Sequence, residues 1–153
     1  MSAHELVLRR RLKAHRAALW RCWSEPELLM QWFCPKPWRV SKAVLDLRSG
    51  GSSDITMSGP NGEEFPNYGV YLEVVPGERL VFTDAYVKAW EPSQKPFMTA
   101  VVTFADAPGG GTDYVAVCHH WSAEDREQHE KMGFHEGWGK AADQLDELAL
   151  SLK

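Results

Sequence analysis

Six apolar side chains, Phe134, Trp138, Ala141, Leu145, Leu148 and Leu152, recur at intervals of four, three, four, three and four residues. On a helix of 3.6 residues per turn that spacing puts them on one stripe, and such a stripe has to be covered by something else in the fold. The spacing predicts one long helix over 122–153. Ser122 stands where an N-cap is expected, with Glu124, Asp125 and Glu127 in the first turn, where carboxylates favour the positive end of the helix dipole. Gly133, Gly137 and Gly139 fall inside this span, and each costs roughly 1 kcal/mol against alanine in a helix interior. Gly133 and Gly137 share a flank beside Trp138, where a bare backbone admits a close neighbour, either a packed element or a ligand. Packing predicts that enlarging them destabilises the protein, whereas space for a ligand predicts that Gly137→Ala is tolerated and weakens uptake of an apolar probe; we expect the second.

Everything upstream alternates or breaks in ways that supply the cover. Glu5 to Leu12 reads as a strand with Leu6, Leu8 and Leu12 in one phase and Arg10 interrupting that face. Arg16 to Trp23 is helical. Ser24-Glu25-Pro26-Glu27 has the spacing of a capping box for a second short helix carrying Leu28, Leu29 and Trp32, which ends before Pro35 and Pro37. Strands follow at Trp38 to Leu47, Ser52 to Ser58, around Tyr68 to Val75, Arg79 to Tyr86, Phe97 to Ala105 and Asp113 to Trp121. Glycine- and proline-bearing turns such as Ser49-Gly50-Gly51 and Pro76-Gly77 separate them. The segment from Val87 to Pro96, with Trp90, Pro92 and Pro96, is expected to be an irregular connection that could serve as a lid. The result is an α+β chain of one domain over 1–153, with six strands in a meander after the first strand and helix pair.

Composition narrows the partners. The chain has 153 residues and a formal charge of -4 with the two signs interspersed, which argues against a nucleic-acid footprint. Arg9, Arg10 and Arg11 form the one basic run, read as a solvated strand face. No stretch has the length of a membrane span and no apolar signal core opens the sequence, so the expected location is the cytoplasm. Cys22, Cys34 and Cys118 have no CxxC spacing, so neither a disulfide framework nor a zinc site is expected.

Four segments carry a resemblance over nearly the whole chain. They are Glu25-Pro26-Glu27-Leu28 through Trp32, Asp46-Leu47-Arg48-Ser49-Gly50-Gly51, Gly69-Val70-Tyr71-Leu72-Glu73-Val74 with Glu78-Arg79-Leu80-Val81, and Gly137-Trp138. Together they resemble the bacterial proteins named after the activator of heat shock protein 90 ATPase, within the START-like or Bet v 1-like superfamily. Ser49 departs from the proline usual before the glycine pair. The resemblance implies a helix-grip fold, in which a curved antiparallel sheet wraps a long C-terminal helix and encloses an apolar cavity.

Three kinds of function fit such a chain. A carrier or sensor of a small hydrophobic molecule needs an apolar pocket with a few polar groups. Trp32, Tyr71, Phe104, His120, Phe134, His135 and Trp138 are the candidate wall, each of which could equally be core. His129 lies opposite the stripe and is expected to face solvent. A cyclase- or hydrolase-like enzyme would need a titratable group in the cavity, such as His120 or His135 with Glu73 or Asp84, but no motif specifies a reaction, a catalytic residue or a cofactor. Metal binding is not expected, because His119 and His120 point to opposite strand faces. The third class is the chaperone ATPase-activating role in the family's name. Asp46 and Arg48 are read as structural, positioning the turn.

Overall fold

The computed structural model describes residues 4–88, 91–94 and 96–152. Among the described residues nine strands and four α-helices follow in the order β1 (Glu5–Leu12), α1 (Arg16–Ser24), α2 (Pro26–Leu29), β2 (Arg39–Leu45), β3 (Ser52–Ser58), β4 (Glu64–Val75), β5 (Arg79–Thr83), β6 (Tyr86–Lys88), β7 (Glu91–Pro92), β8 (Met98–Asp106), β9 (Thr112–His120), α3 (Ala123–Lys131) and α4 (Phe134–Ser151). Seven strands form one curved antiparallel sheet in the order β1-β9-β8-β5-β4-β3-β2, and β6 and β7 pair separately. The meander read from the sequence is present, closed at one end by β1 lying beside β9.

Pairing registers show what the sheet offers the helix. Leu6, Cys118, Ala100, Phe82 and Tyr71 lie in one row across five strands, and Leu8, Ala116, Val102, Leu80 and Val74 in the next. Residues two apart on a strand share a face, so these rows define the concave side. Ala100, Ala116, Cys118 and Val102 are fully buried. Their small side chains let α4 come close at the β1 end, where a methyl built on Gly139 would sit 3.9 Å from Leu8 Cδ1 and 2.5 Å from Arg10 Nη2. Arg10, which interrupts the apolar phase of β1, lays its guanidinium over this glycine. Phe134, Ala141, Ala142, Leu145 and Ala149 of α4 are buried, with Trp138 and Leu148 half-buried against the core. The stripe is therefore covered as its spacing requires.

The single helix expected over 122–153 is two. Ser122 does cap the first, accepting from the Asp125 N–H at 3.1 Å, but Gly133 at φ 94° breaks the path before α4 begins. That left-handed conformation is open to glycine and costly for residues with a Cβ. Gly133 is thus a helix-starting residue, and its place in the pattern reflects a turn rather than a tolerated interior glycine. A Cβ there would touch nothing within 4 Å, so Gly133→Ala isolates the backbone cost. We expect about 1–2 kcal/mol of lost stability, read as a melting temperature lower by roughly 3–6 °C. Gly137 is inside α4, and a methyl there would meet only Pro35 Cγ at 4.0 Å. Gly137→Ala should therefore raise stability by up to roughly 1 kcal/mol. It faces the 32–37 loop, so its tolerance reports on that loop and carries no information about an internal cavity; probe uptake should not change.

Three further expectations change. The capping box at 24–27 does not form, because Glu25 is itself the extended N-cap of α2 without a side-chain bond, and its carboxylate takes Arg21 Nε at 2.7 Å. Helix α2 ends at Leu29, so Trp32 lies beyond it. The 87–96 connection contains the β6–β7 pairing, Tyr86 opposite Pro92 and Lys88 opposite Glu91, while Trp90 is outside the described residues. Asp46 and Arg48 sit in the turn after β2, joined by Arg48 Nε donating to Asp46 Oδ2 at 2.9 Å.

Candidate functional site

The interior between the concave sheet and α4 is lined by rings held from several elements. From the α1–α2 side, Trp32 is buried with its Nε1–H donating to the Cys22 carbonyl at 2.9 Å. Its ring stands edge-on to Trp23 at 4.8 Å and to Phe33 at 5.5 Å, and Trp23 continues to Phe82 on β5 at 5.8 Å. Gln144 of α4 fixes the loop that follows. Its amide N–H groups donate to the Trp32 and Cys34 carbonyls at 3.0 and 2.9 Å, and its oxygen accepts from the Lys36 N–H at 3.1 Å. One side chain thereby satisfies three backbone groups that the loop cannot pair internally.

Elsewhere in the core, Phe104 is buried between Trp20 and Tyr114. Tyr71 is buried on β4 beside Phe82, and burial pushes its phenol well above the ordinary range, as it does for Tyr114. Both phenols are neutral at physiological pH.

A third group gathers where β9, α3 and the start of α4 meet. Phe134 packs on His129 at 5.1 Å, on Trp138 at 5.6 Å and on His135 at 5.0 Å, and Phe97 packs on His129 at 4.8 Å and on His120 at 5.7 Å. His120 Nδ1 lies 2.8 Å from the His4 carbonyl, and its Nε2 lies 2.8 Å from His129 Nδ1. His119 points the other way, towards Glu5 at 3.7 Å. The parity read from the strand is thus realised, with one histidine of the pair entering the core.

His129, expected in solvent, is 8 % exposed. It is the one buried residue of α3. Burial, and then the neighbouring His120, lower its pKa to about 4. His135 lies with its imidazole largely exposed, 3.8 Å from Glu130. Of the seven candidate wall residues, His120, Phe134, His135 and Trp138 therefore converge on one end of α4, while Trp32, Tyr71 and Phe104 are spread through the core. The sequence reading missed His129 and Phe97. Nothing in the polar run of α3 marked the first, and Phe97 stands beside an irregular segment where strand alternation gives no phase.

The three thiols, and the two carboxylates considered as partners of the histidines, are buried or already engaged. Burial pushes the Cys22 and Cys34 thiols up to about 11 and raises Cys118 as well, so all three are protonated at neutral pH. Glu73 is engaged by Arg79, and Asp84 accepts from the Phe97 and Met98 N–H groups at 2.8 and 3.0 Å. Among the described residues no three His, Cys, Asp or Glu side chains converge as metal ligands, and no helix is long and apolar enough to cross a membrane. A shallow depression along α3, bordered by Glu124, Gln128 and Met132, opens outward and is lined by that helix alone.

A sheet gripping a helix over an aromatic interior defines a START/Bet v 1-like domain. Residues 13–149 match the family described as Activator of Hsp90 ATPase homolog 1-like protein, and the chain belongs to that family. A solved protein of Nitrosomonas europaea is similar at 44% identity and a TM-score of 0.92, over 97% of this chain and 96% of the other. A Mycobacterium smegmatis protein is 28% identical with a TM-score of 0.81, covering 98% and 93%. One from Rhodobacter sphaeroides shares the fold at 22% identity and a TM-score of 0.84, covering 99% and 95%. No protein with a curated description matches the chain.

Proposed function

We propose that the protein binds a small apolar molecule between α4 and the β2–β5 wing of the sheet, as a carrier or sensor. One observation carries this reading. The close backbone approaches of α4 are to β1, α1 and α3, and the rest of the sheet faces it mainly through side chains. Phe33, Trp38, Met57, Phe82, Met98 and Trp138 are only partly buried against the core, although each is large and apolar. Half-covered rings and thioethers around a packed interior are the kind of adaptable apolar lining that small-molecule sites use. Trp32, Tyr71 and Phe104 then support the wall from behind. The family also supports an activator-type interaction domain, but no described surface singles out a chaperone partner.

Native mass spectrometry of protein purified from its own cell tests the proposal together with titration of a hydrophobic fluorescent probe. A co-purifying small molecule, or saturable one-to-one probe binding weakened about tenfold by Trp138→Ala, is the expected result. That loss corresponds to about 1.4 kcal/mol, well within what one buried aromatic wall contributes. Bare protein that also gives no saturable probe binding would remove the carrier reading.

A further inference from the structure

We propose that the His120–His129 pair is a proton-sensitive latch that holds α3 on the body of the fold at neutral pH and releases it on acidification. The proposal stands on the geometry of the pair and does not depend on the ligand-binding reading. Helix α3 is polar almost throughout, and His129 is its one buried side chain. Arg126 adds an attachment to β1, its Nε donating to the Glu5 carbonyl at 3.0 Å. The helix is therefore docked largely through one imidazole.

The hydrogen positions in that dock follow from its neighbours. His120 Nδ1 faces a backbone carbonyl, which can only accept, so Nδ1 carries a hydrogen. In the neutral ring Nε2 is then a lone pair, and His129 Nδ1–H donates to it across 2.8 Å. One added proton can be held while the bond persists, with either ring as the charged donor. A second proton puts N–H against N–H and breaks it. Even the first is unfavourable in place, because a buried imidazolium needs a counter-charge.

The surrounding elements supply none that is free. On β1, Glu5 lies towards His119 of β9. On α3, Glu130 is taken by Arg126 at 3.2 Å and lies 3.8 Å from His135 of α4. Ahead of β8, Asp84 is occupied by two backbone N–H groups, and Phe97 and Phe134 close the remaining sides with rings. Among the described residues no ion pair joins either imidazole of the latch to a carboxylate. Undocking α3 restores water to both rings.

The direction of the pH effect follows by linkage. His129 docked has a pKa of about 4 against an ordinary value of 6.5. A base whose pKa is lowered by docking contributes full docking stability above the undocked pKa, and that contribution is lost as pH falls from 6.5 towards 4. For one such group the undocking constant rises roughly twentyfold between pH 7 and pH 5.

Residue-resolved amide hydrogen exchange on the full chain, corrected for intrinsic rates, measures this directly. Between pH 7 and 5 the amides of α3 should lose about tenfold or more of their protection, while those of α4 and β9 keep theirs. His129→Gln should diminish the pH response of α3, because the amide still donates to His120 but takes up no proton itself. His135→Asn should leave the response intact. In the wild type, the ring C–H resonances of His129 should titrate below the ordinary value of 6.5, as a ring docked in its neutral form requires, a measurement that needs no variant. Unchanged α3 protection, loss of α3 and α4 together, an undiminished response in His129→Gln, a response vanishing in His135→Asn, or a His129 ring titrating at or above 6.5 would each overturn the latch.

Discussion

Leu145→Asp is expected to leave the chain unfolded at 25 °C. Leu145 is fully buried at the centre of the α4 stripe. Truncating a buried leucine to alanine alone costs about 2–5 kcal/mol. The aspartate adds a carboxylate that must either ionise without a partner or remain protonated at neutral pH, and each route costs several kcal/mol more. The sum reaches the whole stability of a typical domain, about 5–15 kcal/mol. The next residue shows how face-dependent this is. Asp146, one position along, is well placed because the Lys13 and Ala14 N–H groups donate to its two oxygens at 3.0 and 2.9 Å. A carboxylate at 145 is rotated about 100° away from those donors. Leu150, which is 54% exposed, provides the control: Leu150→Asp should shift stability by no more than about 0.5 kcal/mol. Circular dichroism and thermal melting decide between these outcomes, and a cooperative melt of Leu145→Asp near the wild-type temperature contradicts the packing of α4.

The second large effect is at Trp32, which the sequence placed on a ligand wall and the structure buries to 3% exposure. Trp32→Ala removes the ring contacts with Trp23 and Phe33 and leaves a large void, for an expected loss of about 3–5 kcal/mol. Trp32→Phe keeps an aromatic body but strands the Cys22 carbonyl that the indole N–H satisfies, and should cost about 1–3 kcal/mol. Denaturant titration gives both values. If Trp32 chiefly lined an open site, the pattern would invert: Trp32→Ala would melt almost as wild type while probe affinity fell. Comparing Trp32 with half-buried Trp138 separates side chains that hold the fold from those available to a ligand.

Much of this architecture was legible because its determinants are periodic and local. The 4-3-4-3-4 stripe specified the face of α4, alternation specified the strands, and Ser122 specified where α3 starts. The parity of His119 and His120 followed from strand geometry alone. The four family segments named a helix-grip fold, and the pairing order confirms it.

What the tertiary structure decided are matters in which one local pattern fits two outcomes. A glycine inside an apolar repeat can be an interior residue or a left-handed break, and Gly133 became the break that starts α4 on a new course. Ser24 and Glu27 had the spacing of a capping box, but the Arg21–Glu25 pair and the extended backbone at Glu25 left that box unmade. His129 sits in a helix whose own sequence is polar, and His120 from β9, Phe97 just ahead of β8 and Phe134 from α4 make its position an interior one. The sequence by itself determined which faces are apolar, since side-chain direction repeats with the backbone. Which polar side chain becomes buried depended on partners far along the chain, and no local period encodes them.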